Sequence, residues 1–103
     1  MYALCAYNKC VDYRWDEDKA RINLNKHDID FADAVGVFED PLALTIEDTE
    51  SLEEPRWITL GTDLLGRLLM VVYTYRRESI HLISARKATK KDRESYEGKR
   101  KGI

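Results

Sequence analysis

GRLLMVVYTYRRESIHLISAR, residues 66–86, reads as two strands joined by one tight turn. RLLMVVYTYR is a nearly continuous apolar run, the composition of a central strand covered on both faces. SIHLISAR follows a short turn around Arg76 to Ser79. If the loop has even length, Arg86 lies across from Leu69. Arg67 stands two residues before Leu69, so both arginines then share one face and one end of the sheet, within diagonal reach of long side chains. Ser84, Tyr73 and Tyr75 fall on that same face. An odd-length loop would send the two arginines to opposite faces.

Outward from this hairpin, RWITLG predicts the preceding strand, with Thr62 to Gly66 as the connection. Leu42, Leu44 and Ile46 alternate with smaller or polar neighbours as a further strand, and EDTESLEEP reads as a solvated acidic loop. Towards the N-terminus the period becomes helical. Phe31, Ala34, Val35 and Phe38 form one apolar stripe behind Asp30 as cap, and Pro41 ends that helix. Before it, YRW at 13–15 suggests a short strand, and Asp16 caps EDKARINLNKH, acidic in its first turn and ending on Lys26 and His27. After the hairpin, Thr89 caps a last helix, with Asp92 completing a capping box. The expected fold is α+β, with two N-terminal helices packed on an antiparallel sheet of about four strands and a C-terminal helix.

A chain of 103 residues fits one domain spanning residues 1–103. With 44% apolar and 35% charged residues it is too hydrophobic for disorder and too charged for a membrane span. The N-terminal MYALCAYNKC lacks the basic start and long apolar stretch of a secretory signal, so a cytoplasmic protein is expected. Cys5 and Cys10 would close only a short loop and are read as free thiols. No cofactor and no metal are expected, because His27 and His81 lie far from the cysteines and from each other.

The net charge of −2 conceals a polarised chain. Residues 1–63 carry 6 Lys and Arg against 15 Asp and Glu, whereas residues 64–103 carry 11 against 4. A positive half suits a polyanion such as RNA, and a negative half suits a basic protein. Alternatively, the halves neutralise each other across the fold.

Two guanidiniums beside a basic helix start suit a phosphate, because the planar fork matches its oxygens bidentately. Arg67 and Arg86 are therefore the candidate phosphate pair. Arg76, Arg77, Lys87, Lys90, Lys91 and Arg93 are candidate RNA contacts. The bland alternative is that the arginines pair with carboxylates and the lysines keep the helix soluble. His27 suits a helix end and His81 alternates with aliphatic residues, neither with a recognisable catalytic partner. No Ser-His-Asp spacing or phosphate-binding glycine loop is present.

WDEDKARINLNKHDIDF, FEDPLALTIED, RWITLG, GRLLMVVYTYR and ISARKATKKDRESYE, in this order from Trp15 to Glu97, resemble the BrnT toxins of bacterial type II toxin–antitoxin systems. The resemblance implies a RelE-like fold, RNA cleavage that shuts down translation, and neutralisation by a BrnA-like antitoxin in a hetero-oligomer. DNA is reached only through that antitoxin, and no membrane is involved. Family motifs fall on Trp15 and Asp16, Lys26 and His27, Gly66 and Arg67, Ser84 and Arg86, and Tyr96. Asp28 stands where glycine is common, Pro55 where glutamate is common, His81 where arginine is common, and Asp92 where glutamate caps. The implied chemistry is metal-independent attack of a ribose 2′-hydroxyl on the adjacent phosphate. Arg67 and Arg86 stabilise charge, and Glu54 or Tyr96 assists proton transfer; Glu54 would need a raised pKa for that task. The alternative expectation is a non-catalytic co-repressor that binds the antitoxin; a third is a plain RNA-binding domain.

Overall fold

The structure, a computed structural model, describes residues 2–6, 9–49 and 54–101, with side chains over 12–49 and 54–98. The thiols of Cys5 and Cys10 and the central part of the acidic loop, residues 50–53, lie outside what is described.

Ten elements follow one another: β1 (Tyr2–Ala6), β2 (Lys9–Arg14), α1 (Glu17–His27), α2 (Phe31–Ala34), a 3₁₀ segment (Val35–Glu39), β3 (Leu44–Asp48), β4 (Arg56–Thr62), β5 (Leu68–Arg76), β6 (Ser79–Lys87) and α3 (Lys90–Lys101). The strands form one sheet in the order β1-β2-β6-β5-β4-β3. Every neighbouring pair is antiparallel except β2 and β6, which run parallel. The expected antiparallel sheet of about four strands is thus a mixed sheet of six, because the segment before α1 doubles back as a hairpin and inserts beside β6.

Local chemistry sets the helix ends. Asp16 accepts from the backbone N–H groups of Asp18 and Lys19, at 2.8 and 3.3 Å, and Asp30 accepts from Ala32 at 3.0 Å. α1 stops at Asp28, which is left-handed at φ 59°, its N–H bonding the carbonyl of Leu24. The expected helix from Phe31 tightens to 3₁₀ at Val35. There Gly36 is pressed so closely against the β4–β5 hairpin that a Cβ would lie 2.5 Å from the backbone nitrogen of Leu64.

Both sheet faces carry helix. Phe31, Ala34 and Val35 of the expected stripe are buried on one face against Leu69, Val71, Tyr73 and Leu82, with Phe38 stacked on Tyr13 and edge-on to Tyr73. On the other face Tyr96 of α3 packs with Leu60, Leu68, Met70 and Leu44. β5 is therefore apolar in both phases, which is why it reads as an unbroken run. Among the described residues no helix is long and apolar enough to cross a membrane.

The decisive hairpin has a two-residue loop, the even-length case, with Arg76 opposite Ser79 and Tyr73 opposite Leu82. A β-bulge then intervenes between Val72 and Tyr73 of β5, leaving Ile83 as an extra residue in β6. Beyond it Val72 faces Ser84 and Met70 faces Arg86, so the expected pairing of Arg86 with Leu69 is replaced by one shifted by a residue. A one-residue shift exchanges faces.

β6 is also left unpaired on one side. β2 accompanies it only from Ser79 to His81, and beyond that the side chain of buried Asn23 in α1 takes over. Its amide donates to the carbonyl of Ala85 at 2.9 Å and accepts from the Ala85 N–H at 3.0 Å, imitating one rung of a ladder.

Candidate active cleft

The shifted register separates the two arginines expected to act together. Arg67 turns to the α2 face, where its Nε and Nη2 donate to Asp63 Oδ2 at 2.9 and 2.7 Å, with Asp33 at 3.8 Å. The Asp63 side chain is 0% exposed and also accepts from the backbone of Leu65 and Arg67. Arg67 thus neutralises a buried carboxylate that shapes the β4–β5 connection. Breaking such a pair costs about 3–5 kcal/mol.

Arg86 turns to the α3 face. It meets the sulfur of Met70 at 2.9 Å and donates to Asp92 at 3.1 Å. Asp92 is held in the expected reciprocal cap, accepting from Thr89 N–H at 3.0 Å while its own N–H donates to Thr89 Oγ1 at 3.2 Å. These bonds, led by the Thr89 backbone, hold the Asp92 carboxyl below its ordinary range. Lys87, Lys90, Lys91 and Arg93 are exposed around this helix start.

Tyr96 shares the α3 face with Arg86 and packs near Met70, whereas Glu54 lies by the β5–β6 turn. Tyr96 is buried and its hydroxyl donates to Asp40 Oδ2 at 2.7 Å. Glu54 accepts from Arg76 Nη2 at 3.0 Å. That hydrogen bond, helped by the charges of Arg76, Arg56 and His81, lowers the Glu54 pKa, the reverse of what a general base near neutral pH requires.

Basic residues do converge at the opposite end of the hairpin, around the β5–β6 turn. Arg14, Arg76, Arg77, Ser79 and His81 line a cleft of about 260 Å³. The register explains the convergence. Arg14, His81 and Thr74 stand abreast on β2, β6 and β5, and Asp12, Ser79 and Arg76 form the neighbouring row. Both rows project from one sheet face. Arg14 is fixed by Asp12, with contacts of 3.0 and 2.9 Å, as Arg76 is by Glu54. The Arg14 hydrogen bond lowers the pKa of Asp12. Arg77, the first turn residue, is left-handed at φ 58° and makes no ion pair among the described residues. Nearby, the Nε of Arg56 is buried without a hydrogen-bond partner. Burial lowers the His81 pKa, and the charges of Arg76 and Arg14 lower it further.

Of the residues expected to bind RNA, Arg76 and Arg77 fall in this cleft. Arg14 was not singled out in the sequence, because the contact joining it to His81 spans most of the chain and depends on one parallel strand pair. Among the described residues no cluster of three or more His, Cys, Asp or Glu is placed to hold a metal ion.

The sequence between residues 15 and 92 matches the family described as "Ribonuclease toxin, BrnT, of type II toxin-antitoxin system". The chain belongs to this family. Its fold is also that of a solved BrnT: the 1.1 Å crystal structure of the Brucella abortus ribonuclease toxin, BrnT, superposes with a TM-score of 0.61 at 23% identity. The likeness covers 78% of this chain and 99% of that one. No curated protein matches the chain in sequence. The BrnT match begins at Trp15 and ends at Asp92, so Arg14 lies one residue outside it, whereas Arg76, Arg77 and His81 lie within.

Proposed function

We propose that this BrnT-family chain is a metal-independent endoribonuclease that inhibits translation by cutting RNA through attack of a ribose 2′-hydroxyl on the adjacent phosphate, and that a BrnA-like antitoxin neutralises it. The observation that carries the reading is the arginine-lined cleft at the β5–β6 turn. Three guanidiniums around one small volume meet the main electrostatic demand of the reaction, stabilising the added negative charge of a five-coordinate phosphorus.

The roles are redistributed from those expected of the sequence. Arg14, Arg76 and Arg77 take the scissile phosphate. Glu54 and Asp12 act as positioning residues, since each holds an arginine within the cleft. Arg86 supports the start of α3, and Lys87, Lys90, Lys91 and Arg93 hold the flanking RNA backbone. Arg67 and Tyr96 stabilise the fold through Asp63 and Asp40.

The test is to incubate the purified protein with single-stranded RNA in the presence of a chelator. Cleavage leaving 2′,3′-cyclic phosphate ends is expected. Arg76→Ala should slow it by about 100- to 1,000-fold, the usual loss for removing one charge-stabilising donor. A protein that binds its antitoxin tightly but never cuts RNA would instead be a co-repressor subunit. Binding of RNA without cleavage would leave a plain RNA-binding domain.

A further inference from the structure

The cleft contains one group suited to proton transfer. We infer that the imidazole of His81 accepts the proton of the attacking 2′-hydroxyl. This deepens the ribonuclease reading above and rests on it.

The geometry carries the assignment. His81 lines the cleft with Arg14, Arg76, Arg77 and Ser79. It stands in the row between Arg14 on β2 and Thr74 on β5, so a phosphate held by the arginines lies beside the ring. Its ring nitrogens make no hydrogen bond among the described residues. The other candidate bases are engaged: Glu54 with Arg76, and Asp12 with both Arg14 and Ser79.

The ionisable groups facing His81 are Asp12 and Arg14 from β2, Arg76 from β5, Arg77 from the turn and Glu54 from the segment before β4. Burial and the two arginines outweigh the two carboxylates and keep its pKa below the 6.5 of a free imidazole. The ring is thus neutral at pH 7 and able to accept a proton.

In the step itself, the 2′-O–H proton passes to a ring nitrogen of His81 as the 2′-oxygen bonds to phosphorus. The bond from phosphorus to the 5′-oxygen breaks, and that oxygen takes a proton from water. His81 then releases its own proton to solvent. The products are a 2′,3′-cyclic phosphate and a free 5′-hydroxyl, with protons balanced and no redox partner required.

The experiment measures cleavage of an RNA oligonucleotide by the full chain from about pH 5 to about pH 9, for the wild type, His81→Ala, His81→Gln and Arg76→Ala. Wild-type activity should rise through a pKa below 6.5 and level off near neutrality. Both His81 variants should lose about 100-fold or more in rate, lose the acidic limb, keep their RNA affinity and thermal midpoint, and regain activity with added imidazole. A His81→Gln protein that keeps the acidic limb, retains more than about a tenth of the rate, or gains nothing from imidazole overturns the assignment. Cleavage that still depends on Arg76 in that case leaves the ribonuclease reading standing. If the wild type cuts no RNA, both readings fall.

Discussion

At the scale of single residues, Arg77 carries the clearest conflict between stability and use. A non-glycine residue in the left-handed region is strained by roughly 1–2 kcal/mol. Arg77 holds that conformation at φ 58° in a two-residue turn where glycine would be the easy choice. Strain of this kind persists where the side chain is wanted. Arg77→Gly should therefore raise stability by about 0.5–1 kcal/mol in urea unfolding, allowing for the greater freedom of glycine when unfolded. The same substitution should weaken RNA binding and lower the slope of log affinity against log salt by about 1. A stabilised protein with unchanged RNA affinity would remove Arg77 from the cleft's task. Asp28, also left-handed, needs no such explanation, since a short polar side chain tolerates that region and its N–H closes α1 on Leu24.

At the scale of elements, much was legible wherever the signal is local. Asp16, Asp30 and the Thr89–Asp92 pair announced the starts of three helices because a cap and the N–H groups it satisfies lie within one turn. The place of the β5–β6 turn was legible for the same reason, whereas the even length of its loop was not. The bulge at Val72 was not, since a single inserted residue leaves the apolar pattern of β6 almost unchanged. The parallel pairing of β2 with β6 was equally silent, because contacts so distant in sequence leave no periodic trace. Tyr96 and Arg67 show the corresponding limit for site residues. Each suits catalysis by type, but Tyr96 is committed to the half-buried Asp40, which only the fold brings near, and Arg67 to Asp63, four residues away, whose burial only the fold creates.

Asn23 makes the weight of a single non-local contact measurable. With the amide gone, the N–H and C=O of Ala85 lose their partner inside the protein. Stranding a buried backbone group costs about 1–3 kcal/mol. Asn23→Ala should accordingly lower unfolding stability by about 2–3 kcal/mol, read as a fall in urea midpoint with an unchanged slope. A loss below about 0.5 kcal/mol would mean that water replaces the amide and that α1 is held chiefly by its apolar contacts.

At the scale of the whole molecule, the fold neutralises the polarised sequence only in places. Arg76 with Glu54 and Arg67 with Asp63 and Asp33 join the basic half to the acidic one. The sheet order itself interleaves the halves by placing β2 beside β6. Among the described residues, Arg77 at the β5–β6 turn and Lys87, Lys90, Lys91 and Arg93 along the start of α3 make no ion pair. The candidate site was thus only half legible: its arginines at the turn come from one stretch, whereas Arg14 arrives from another strand.

Acid should disturb this assembly at a recognisable point. Burial opposes the charge on Asp40, but hydrogen bonds from Tyr96, Thr62 and Leu42 outweigh it and leave the pKa lowered. A carboxyl whose pKa is lower folded than unfolded contributes stability that is complete above the unfolded value, and loses it as pH falls through the folded one. Tyr96→Phe should therefore cost about 1.5–3 kcal/mol at neutral pH, and the gap to wild type should narrow below about pH 4. Chemical unfolding across that range checks it. A constant gap would mean that the phenol's partner stays ionised throughout.

The bulge has a consequence for the reach of the molecule. His81 and Arg86 are five residues apart, and on a regular strand they would point away from each other. The extra residue works as a phase correction, bringing both to one side over about 16 Å of strand. The cleft and the basic start of α3 then form two stations on a single track, so an extended RNA could touch both without crossing the sheet. Removing Ile83 would be the three-dimensional counterpart of a frameshift: each station would survive by itself, but they would no longer share a track.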